Sequence, residues 1–281
     1  MRTLLAVLLT LVPLSAVAKH DPVVLLHFSD YHSHAVPFFT ERGPSQGGIA
    51  RAIGYLAREK KQGALVFSGG DMMNKGAPSW SDKYGCAEWP WLNGIVDAMA
   101  LGNHDVDYGM DAFAKCRAAI RYPVLSANTE GFEGTRVFAA KGKRIGVFAV
   151  AGPDLPRLMK PSGLNFSDPV EAARRAVAAL RARQVDAIVM LGHQQTEDDY
   201  ALARAVPGID LIFGTHAHLT RELTQIPGTS TWFISPGQYL ETISRVEITF
   251  SKDGLGVAGR LVPVDASARP SRRVVRHVAS M

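Results

Sequence analysis

Five short apolar runs in this sequence each break off into a cluster of glycine, aspartate, asparagine or histidine, and that repeated pattern constrains the fold most. Val24-Leu25-Leu26-His27-Phe28 leads to Ser29-Asp30-Tyr31-His32, and Leu65-Val66-Phe67 leads to Ser68-Gly69-Gly70-Asp71. Ala98-Met99-Ala100-Leu101 leads to Gly102-Asn103-His104-Asp105, and Ile188-Val189-Met190-Leu191 leads to Gly192-His193. Leu211-Ile212-Phe213 leads to Gly214-Thr215-His216-Ala217-His218. Short β-rich runs alternating with helical stretches predict an α/β fold. In open α/β sheets the carboxyl ends of the strands share one edge, so the five clusters can converge there.

The pattern predicts strands at Val23 to Phe28, Ala64 to Phe67, Asp97 to Leu101, Val124 to Ala127, Arg144 to Val150, Asp186 to Leu191 and Asp210 to Phe213. Helices are expected at Gly48 to Lys61 and Met110 to Ala119. A third runs from Pro169 to about Arg183, with Asp168 as its cap and Val170, Ala173, Val177 and Leu180 on one face. After Thr231 the pattern changes to strands alone, Trp232 to Ser235, Thr242 to Phe250 and Val257 to Val264, as a second sheet or an antiparallel edge would require.

Two carboxylates, an amide and four or more imidazoles at one edge, without thiolate, suit zinc, manganese, iron or cobalt. Asp71, alone on its loop, can bridge two ions, and Asp30 and His32, one residue apart on an extended segment, share a face. The glycines before Asp71, Asn103, His193 and His216 let the backbone turn as each strand ends. Each element alone is a weak signal, and the weight lies in their joint order. His27, inside the first run, is expected in the core, and His20 and His277 in solvent.

The order Asp-x-His, Gly-Gly-Asp, Gly-Asn-His-Asp, Gly-His, Gly-x-His-x-His resembles the calcineurin-like metallophosphoesterase superfamily. Its 5′-nucleotidase branch is resembled by Gly47-Gly48-Ile49-Ala50-Arg51, Asp97 to Gly109, Val124 to Asn128, Val206 to Phe213 and Pro236-Gly237-Gln238-Tyr239. The resemblance runs from about Val23 to about Phe250 and implies two mixed β-sheets flanked by helices, a four-layer α/β/β/α sandwich. It implies two divalent ions, one held by Asp30, His32, Asp71 and His218 and the other by Asp71, Asn103, His193 and His216. A hydroxide bridging the ions would attack phosphorus in line with the leaving oxygen. His104 is then not a ligand but stabilises the phosphoryl transition state or protonates the leaving group, oriented by Asp107, with adjacent Asp105 as the rival. Asn103 is also expected to touch the phosphate.

The implied activity is hydrolysis of phosphate esters by a 5′-nucleotidase-like phosphomonoesterase. 2′,3′-Cyclic phosphodiesterases and thiosulfohydrolases are alternatives on the same fold. A non-enzymatic binding module predicts a lost ligand, whereas all seven positions and His104 are filled. Members of this branch also carry a C-terminal domain that binds the base. The chain is expected to stop near the end of the catalytic domain, so the base-recognition residues have no counterparts here.

The opening Met1-Arg2-Thr3, an apolar run from Leu4 to Leu14 and Ser15-Ala16-Val17-Ala18 fit a secretory signal peptide cut after Ala18. The run is shorter than the roughly 20 residues of a spanning helix, and Pro13 interrupts it. The expected division is 1–18 signal peptide, 19–266 catalytic domain and 267–281 basic tail, with the periplasm as destination. Export makes Cys86 and Cys116 either a disulfide or a free buried pair. The net charge of +5 resides in Arg2, Arg269, Arg272, Arg273 and Arg276, leaving the remainder neutral. The neutral remainder implies no nucleic-acid partner, and no stable membrane insertion is expected after cleavage; the resemblance implies a small phosphate ester, a nucleotide in this branch, as partner. His34 is expected as a solvated loop residue, and Asn128, Arg42 and Arg51 as caps or surface charges. Trp80, Trp89 and Trp91 either offer a stacking surface or pack the long connection between Asp71 and Asn103.

Overall fold

The computed structural model describes residues 21–76, 80–252 and 254–281, so the expected signal peptide and His20 lie outside the described residues. In chain order the strands are β1 (Val23–Phe28), β2 (Phe38–Thr40), β3 (Gly43–Gln46), β4 (Leu65–Ser68), β5 (Ala98–Ala100), β6 (Val124–Leu125) and β7 (Thr135–Ala140). There follow β8 (Lys143–Ala151), β9 (Ala187–His193), β10 (Leu211–Gly214), β11 (Thr220–Gln225), β12 (Trp232–Pro236), β13 (Thr242–Ser251) and β14 (Gly254–Pro263). The α-helices are α1 (Ile49–Lys61), α2 (Ser81–Tyr84), α3 (Met110–Ala119), α4 (Leu155–Leu158), α5 (Pro169–Ala182), α6 (Thr196–Ala205) and α7 (Arg272–Ser280).

Two six-stranded mixed sheets form, ordered β14-β13-β1-β4-β5-β6 and β11-β12-β10-β9-β8-β7, and β2 and β3 make a small hairpin. Alternation along the strands explains why the sheets stack. In β1, Val23 and Leu25 face the layer between the sheets, where they join Phe67, Ala100, Val189, Leu191 and Phe213. Leu26 and Phe28 face the other way, onto Ile49, Ile53 and Leu56 of α1. Across the second sheet, Phe148, Ile188 and Ile212 pack against Ala173, Val177 and Leu180 of α5. The layers are thus α/β/β/α. His27 points into the middle layer, stacked on Phe213 with ring centroids 4.6 Å apart, and burial pushes its pKa down to about 3. It is a neutral core residue.

The strands after Thr231 serve both sheets. β12 pairs parallel with β10, while β13 runs antiparallel to β1 and pairs with β14 at the edge of the first sheet. The expected helix at Pro169 is capped as its sequence requires, Asp168 accepting from the Glu171 N–H at 2.8 Å. Cys86 and Cys116 form a disulfide that ties the long connection after Asp71 to α3. Trp89 and Trp91 are buried in that connection and Trp80 is partly buried beside Tyr84, so these rings pack the core.

The basic segment from residue 267 was expected as a solvated tail, and the structure corrects this. Its end folds as α7, with Val274 fully buried against the first core and the Ser271 hydroxyl capping the Val274 N–H. The Arg273 guanidinium donates to the Trp91 carbonyl at 3.1 Å, and His277 stacks on Trp91. The charge count hid Val274 and Val278, which the helix turns toward the core while its arginines stay largely in solvent.

Access of this segment to α1 depends on Gly54. A Cβ there would lie 2.2 Å from the Arg269 carbonyl oxygen. Gly54→Ala should therefore lower stability by about 1–2 kcal/mol, because overpacking outweighs the gain of about 1 kcal/mol in helix propensity. Urea unfolding checks the sign, which propensity alone would reverse.

Candidate metal centre

The ends of β1, β4 and β5 in the first sheet and of β9 and β10 in the second meet at one rim. The five clusters therefore converge across a sandwich, not along one sheet. Backbone bonds zip the first two loops together: Asp30 N–H to Gly70 O at 3.2 Å, His32 N–H to Asp71 O at 2.9 Å and Ser33 N–H to Met72 O at 3.0 Å. The loops are strained, since Asp30, His32, Asp71, His216 and His218 have φ between 48° and 64°. Each such residue costs on the order of 1–3 kcal/mol, a strain found where a site over-determines the backbone.

Two groups of donors result. Ligand atoms of Asp30, His32, Asp71 and His218 lie within 4.8 Å of one another, as do those of Asp71, His193 and His216. His32 Nε2 sits 3.0 Å from His218 Nε2 and 3.8 Å from Asp71 Oδ2, and His218 Nε2 is 3.5 Å from Asp30 Oδ1. His193 Nε2 is 3.5 Å from Asp71 Oδ1 and 3.2 Å from Asn103 Oδ1. Asp71 belongs to both groups.

These contacts fit cations. His193 Nδ1–H donates to the Gly69 carbonyl at 2.7 Å, so its Nε2 faces the oxygens of Asn103 and Asp71, an approach that only a proton or a cation between them makes favourable. Two Nε2 atoms 3.0 Å apart can share at most one proton. Asp71 Oδ2 is buried without a hydrogen-bond partner. Burial opposes charge on His193, yet Asp71 and Asp30 override it and push the pKa up to about 9. Burial likewise opposes charge on Asp71, and His193, His32 and His104 hold its carboxyl well below the usual range. The site is built for positive charge, and its nitrogen and oxygen donors suit divalent transition ions.

His104 lies at the mouth, its side chain 35% exposed, edge-on to His32 with centroids 5.0 Å apart. Its Nδ1–H donates to Asp107 Oδ2 at 2.7 Å, leaving Nε2 free. Asp107 also accepts the Lys75 N–H at 3.0 Å. Asp105, the rival orienter, turns away and is fully buried, accepting the N–H groups of Gly102, Met72 and Asp71 at 2.9, 2.8 and 3.2 Å. It staples the two loops. The glycines expected at turns divide similarly. Gly70 takes a φ of 94°, but Gly102 is needed for close approach, a Cβ there lying 2.2 Å from Asp71 Oδ1.

Asp154 was missed by the sequence reading. Its Oδ2 accepts the Nε2–H of His216 at 3.0 Å, leaving Nδ1 as that ring's free donor atom. A signal was present, since Phe148-Ala149-Val150-Ala151 leads to Gly152-Pro153-Asp154 in the same strand-then-glycine pattern. His34, expected in solvent, is half-buried and stacks on Tyr239 with centroids 3.8 Å apart. Tyr239 is in turn edge-on to His32 at 5.7 Å, so this pair lines the rim. Asn128 donates to the Ala151 carbonyl, Arg42 pairs with Glu241, and Arg51 donates to the Ser45 carbonyl, all structural contacts.

A sandwich of two mixed sheets with histidines and carboxylates joined through one aspartate at their rim is the architecture of a metallophosphoesterase. The chain belongs to the calcineurin-like phosphoesterase family, whose profile matches residues 23–219. It is 30% identical over 228 residues to a 5′-nucleotidase of Vibrio cholerae, covering 71% of this chain and 40% of that protein. It is 27% identical over 238 residues to a 5′-nucleotidase of Rattus norvegicus, covering 76% and 41%. The chain thus spans about two fifths of the length of these curated relatives. Among solved structures, a 5′-nucleotidase precursor from Thermus thermophilus superposes with a TM-score of 0.83 at 25% identity, covering 92% of this chain and 58% of that one. The calcineurin-like phosphoesterase YfkN of Bacillus subtilis shares the fold with a TM-score of 0.73 at 17% identity, covering 92% and 96%.

Asp154→Ala should weaken the ion held with His216 by about 10- to 100-fold, with Asp154→Asn closer to wild type because it keeps an acceptor oxygen. Titration of metal-depleted protein with zinc measures both, and equal affinities in Asp154→Ala would remove Asp154 from this role.

Proposed function

We propose that the chain hydrolyses phosphate monoesters, with nucleoside 5′-monophosphates as the leading substrate class. The observation that carries this reading is the pair of donor groups sharing Asp71, with the His104–Asp107 pair at its edge. Asp30, His32, Asp71 and His218 would hold one divalent ion, and Asp71, Asn103, His193 and His216 the other. Bound there, such ions supply Lewis acidity toward a phosphoryl oxygen and a nucleophilic water at neutral pH.

The chain's own residues do the rest. The Asp107 hydrogen bond keeps the His104 pKa raised against the opposing effect of burial, so the ring can carry a proton at Nε2 and deliver it to the leaving oxygen. Asn103, its Oδ1 3.2 Å from His193 Nε2, would touch the phosphate as well. The kinship with 5′-nucleotidases supports the nucleotide class.

Export to the periplasm, with residues 1–18 as the signal and the catalytic domain following to residue 266, is part of this reading. The Cys86–Cys116 disulfide supports it, because such bonds persist in oxidising compartments. Among the described residues no helix is long and apolar enough to cross a membrane.

The test is a hydrolysis panel with the metal-loaded chain: 5′-AMP, 2′,3′-cyclic AMP, p-nitrophenyl phosphate, bis-p-nitrophenyl phosphate and a thiosulfonate ester. Turnover of 5′-AMP and p-nitrophenyl phosphate is expected, and activity confined to diesters or to the thiosulfonate would replace the monoesterase reading. His104→Ala should keep two ions yet lose about 10²- to 10⁴-fold in kcat. Loss of metal in that variant would instead make His104 a ligand.

A further inference from the structure

Glu88 is a fully buried carboxylate with no cation facing it among the described residues. Its partners are Tyr31, whose hydroxyl donates to Oε1 at 2.8 Å, and Ser33, whose hydroxyl donates to Oε1 at 2.9 Å and lies 3.0 Å from Oε2. Burial pushes its pKa up to about 7, the cost of placing this group in the core. A buried carboxylate kept without an ion pair calls for a reason beyond stability.

That reason lies in the residues it grips. Tyr31 and Ser33 bracket His32, and Tyr31 follows Asp30 directly. Asp30, His32 and Ser33 all occupy the left-handed region, with φ of 48°, 48° and 53°. A loop so strained relaxes unless its far side is fixed. Asp30 and His32 face the donor group, while Tyr31 and Ser33 reach the opposite way to Glu88. The connection carrying Glu88 is itself anchored: Cys86 is bonded to Cys116 of α3, the Tyr122 hydroxyl donates to the Trp89 carbonyl at 3.2 Å, and the Trp80 N–H donates to the Ser33 carbonyl at 3.1 Å.

We infer that Glu88 is a positioning residue for one half of the metal centre, holding Tyr31 and Ser33 so that Asp30 and His32 stay aimed at their ion, with the Cys86–Cys116 disulfide tethering it there. Among the described residues no hydrogen bond or ring contact joins Asn103, His193 or His216 to Tyr31, Ser33 or Glu88; the nearest link is the His216 backbone N–H, which donates to Asp30 Oδ2 at 3.1 Å. Loss of the Glu88 bracket therefore loosens the ion of Asp30, His32 and His218 more than the other. The inference rests on the two-ion reading of the site.

The experiment titrates the full chain, stripped of metal and kept oxidised, with zinc and counts bound ions against free zinc. Wild type should bind two. Glu88→Ala should weaken one of them by about 10- to 100-fold, the scale for outer partners of a metal site, and leave the other the tighter. Glu88→Gln, which keeps the volume and one acceptor oxygen, should fall between. The pair Tyr31→Phe with Ser33→Ala removes the donors from the other side and should reproduce the split. These two probes carry the test if Glu88→Ala does not fold. Cys86→Ser with Cys116→Ser should weaken the same ion, and wild-type binding in that variant would remove the tether.

Two ions at wild-type affinity in both Glu88→Gln and the Tyr31/Ser33 variant would overturn the inference. Equal weakening of both ions would also overturn it, as that is what a merely structural role gives. Fewer than two ions in wild type would instead overturn the two-ion reading and this inference with it.

Discussion

The Asp71 carboxylate is buried where the two sheets meet, and the rest of the site is arranged around it. One oxygen accepts the His104 N–H at 2.8 Å and faces His193, while the other faces His32 without a hydrogen bond. Its backbone joins the Asp30–Ser33 loop on one side and the Asp105 carboxylate on the other. An isolated carboxylate could not stay ionised at such depth. Surrounded by imidazoles, it can, and the same surroundings make positive charge the natural complement of the site.

The strain of the loops follows from this convergence. Strands that end on two stacked sheets deliver their side chains in directions set by the sheet, and reaching a common point takes backbone conformations that non-glycine residues normally avoid. Asp105 shows how the chain holds them: one carboxylate accepts three N–H groups from two loops, and burial with the charge of Asp71 pushes its pKa up to about 7. Side chains that never face the rim thus bear much of the work of keeping it in shape.

What could be read from the sequence divides along the same line. The five clusters were legible because each follows a strand, and a strand end fixes where the next residues go. Helices α1 and α5, with strong apolar faces, were legible for a similar local reason. The β2–β3 hairpin was not, having few residues and no alternation to display, and α7 was obscured by its arginines. The choice of Asp107 over Asp105 came from resemblance, because spacing alone leaves both near His104. Glu88 left no local trace at all, since its partners lie 57 and 55 residues earlier. Contacts that depend on three-dimensional closure are invisible to a pattern read along the chain.

The layer between the sheets has a role that its apolar character conceals. Each donor group draws on both sheets, Asp30, His32 and Asp71 against His218, and Asp71 against His193 and His216. The separation of the sheets is set by what fills the layer, including Phe67 against Phe138 and Phe213 with centroids 5.8 and 6.4 Å apart. Side-chain volume in the middle of the sandwich is therefore a gauge of the spacing at its rim, and the hydrophobic filling serves as a mechanical calibration of the chemistry above it.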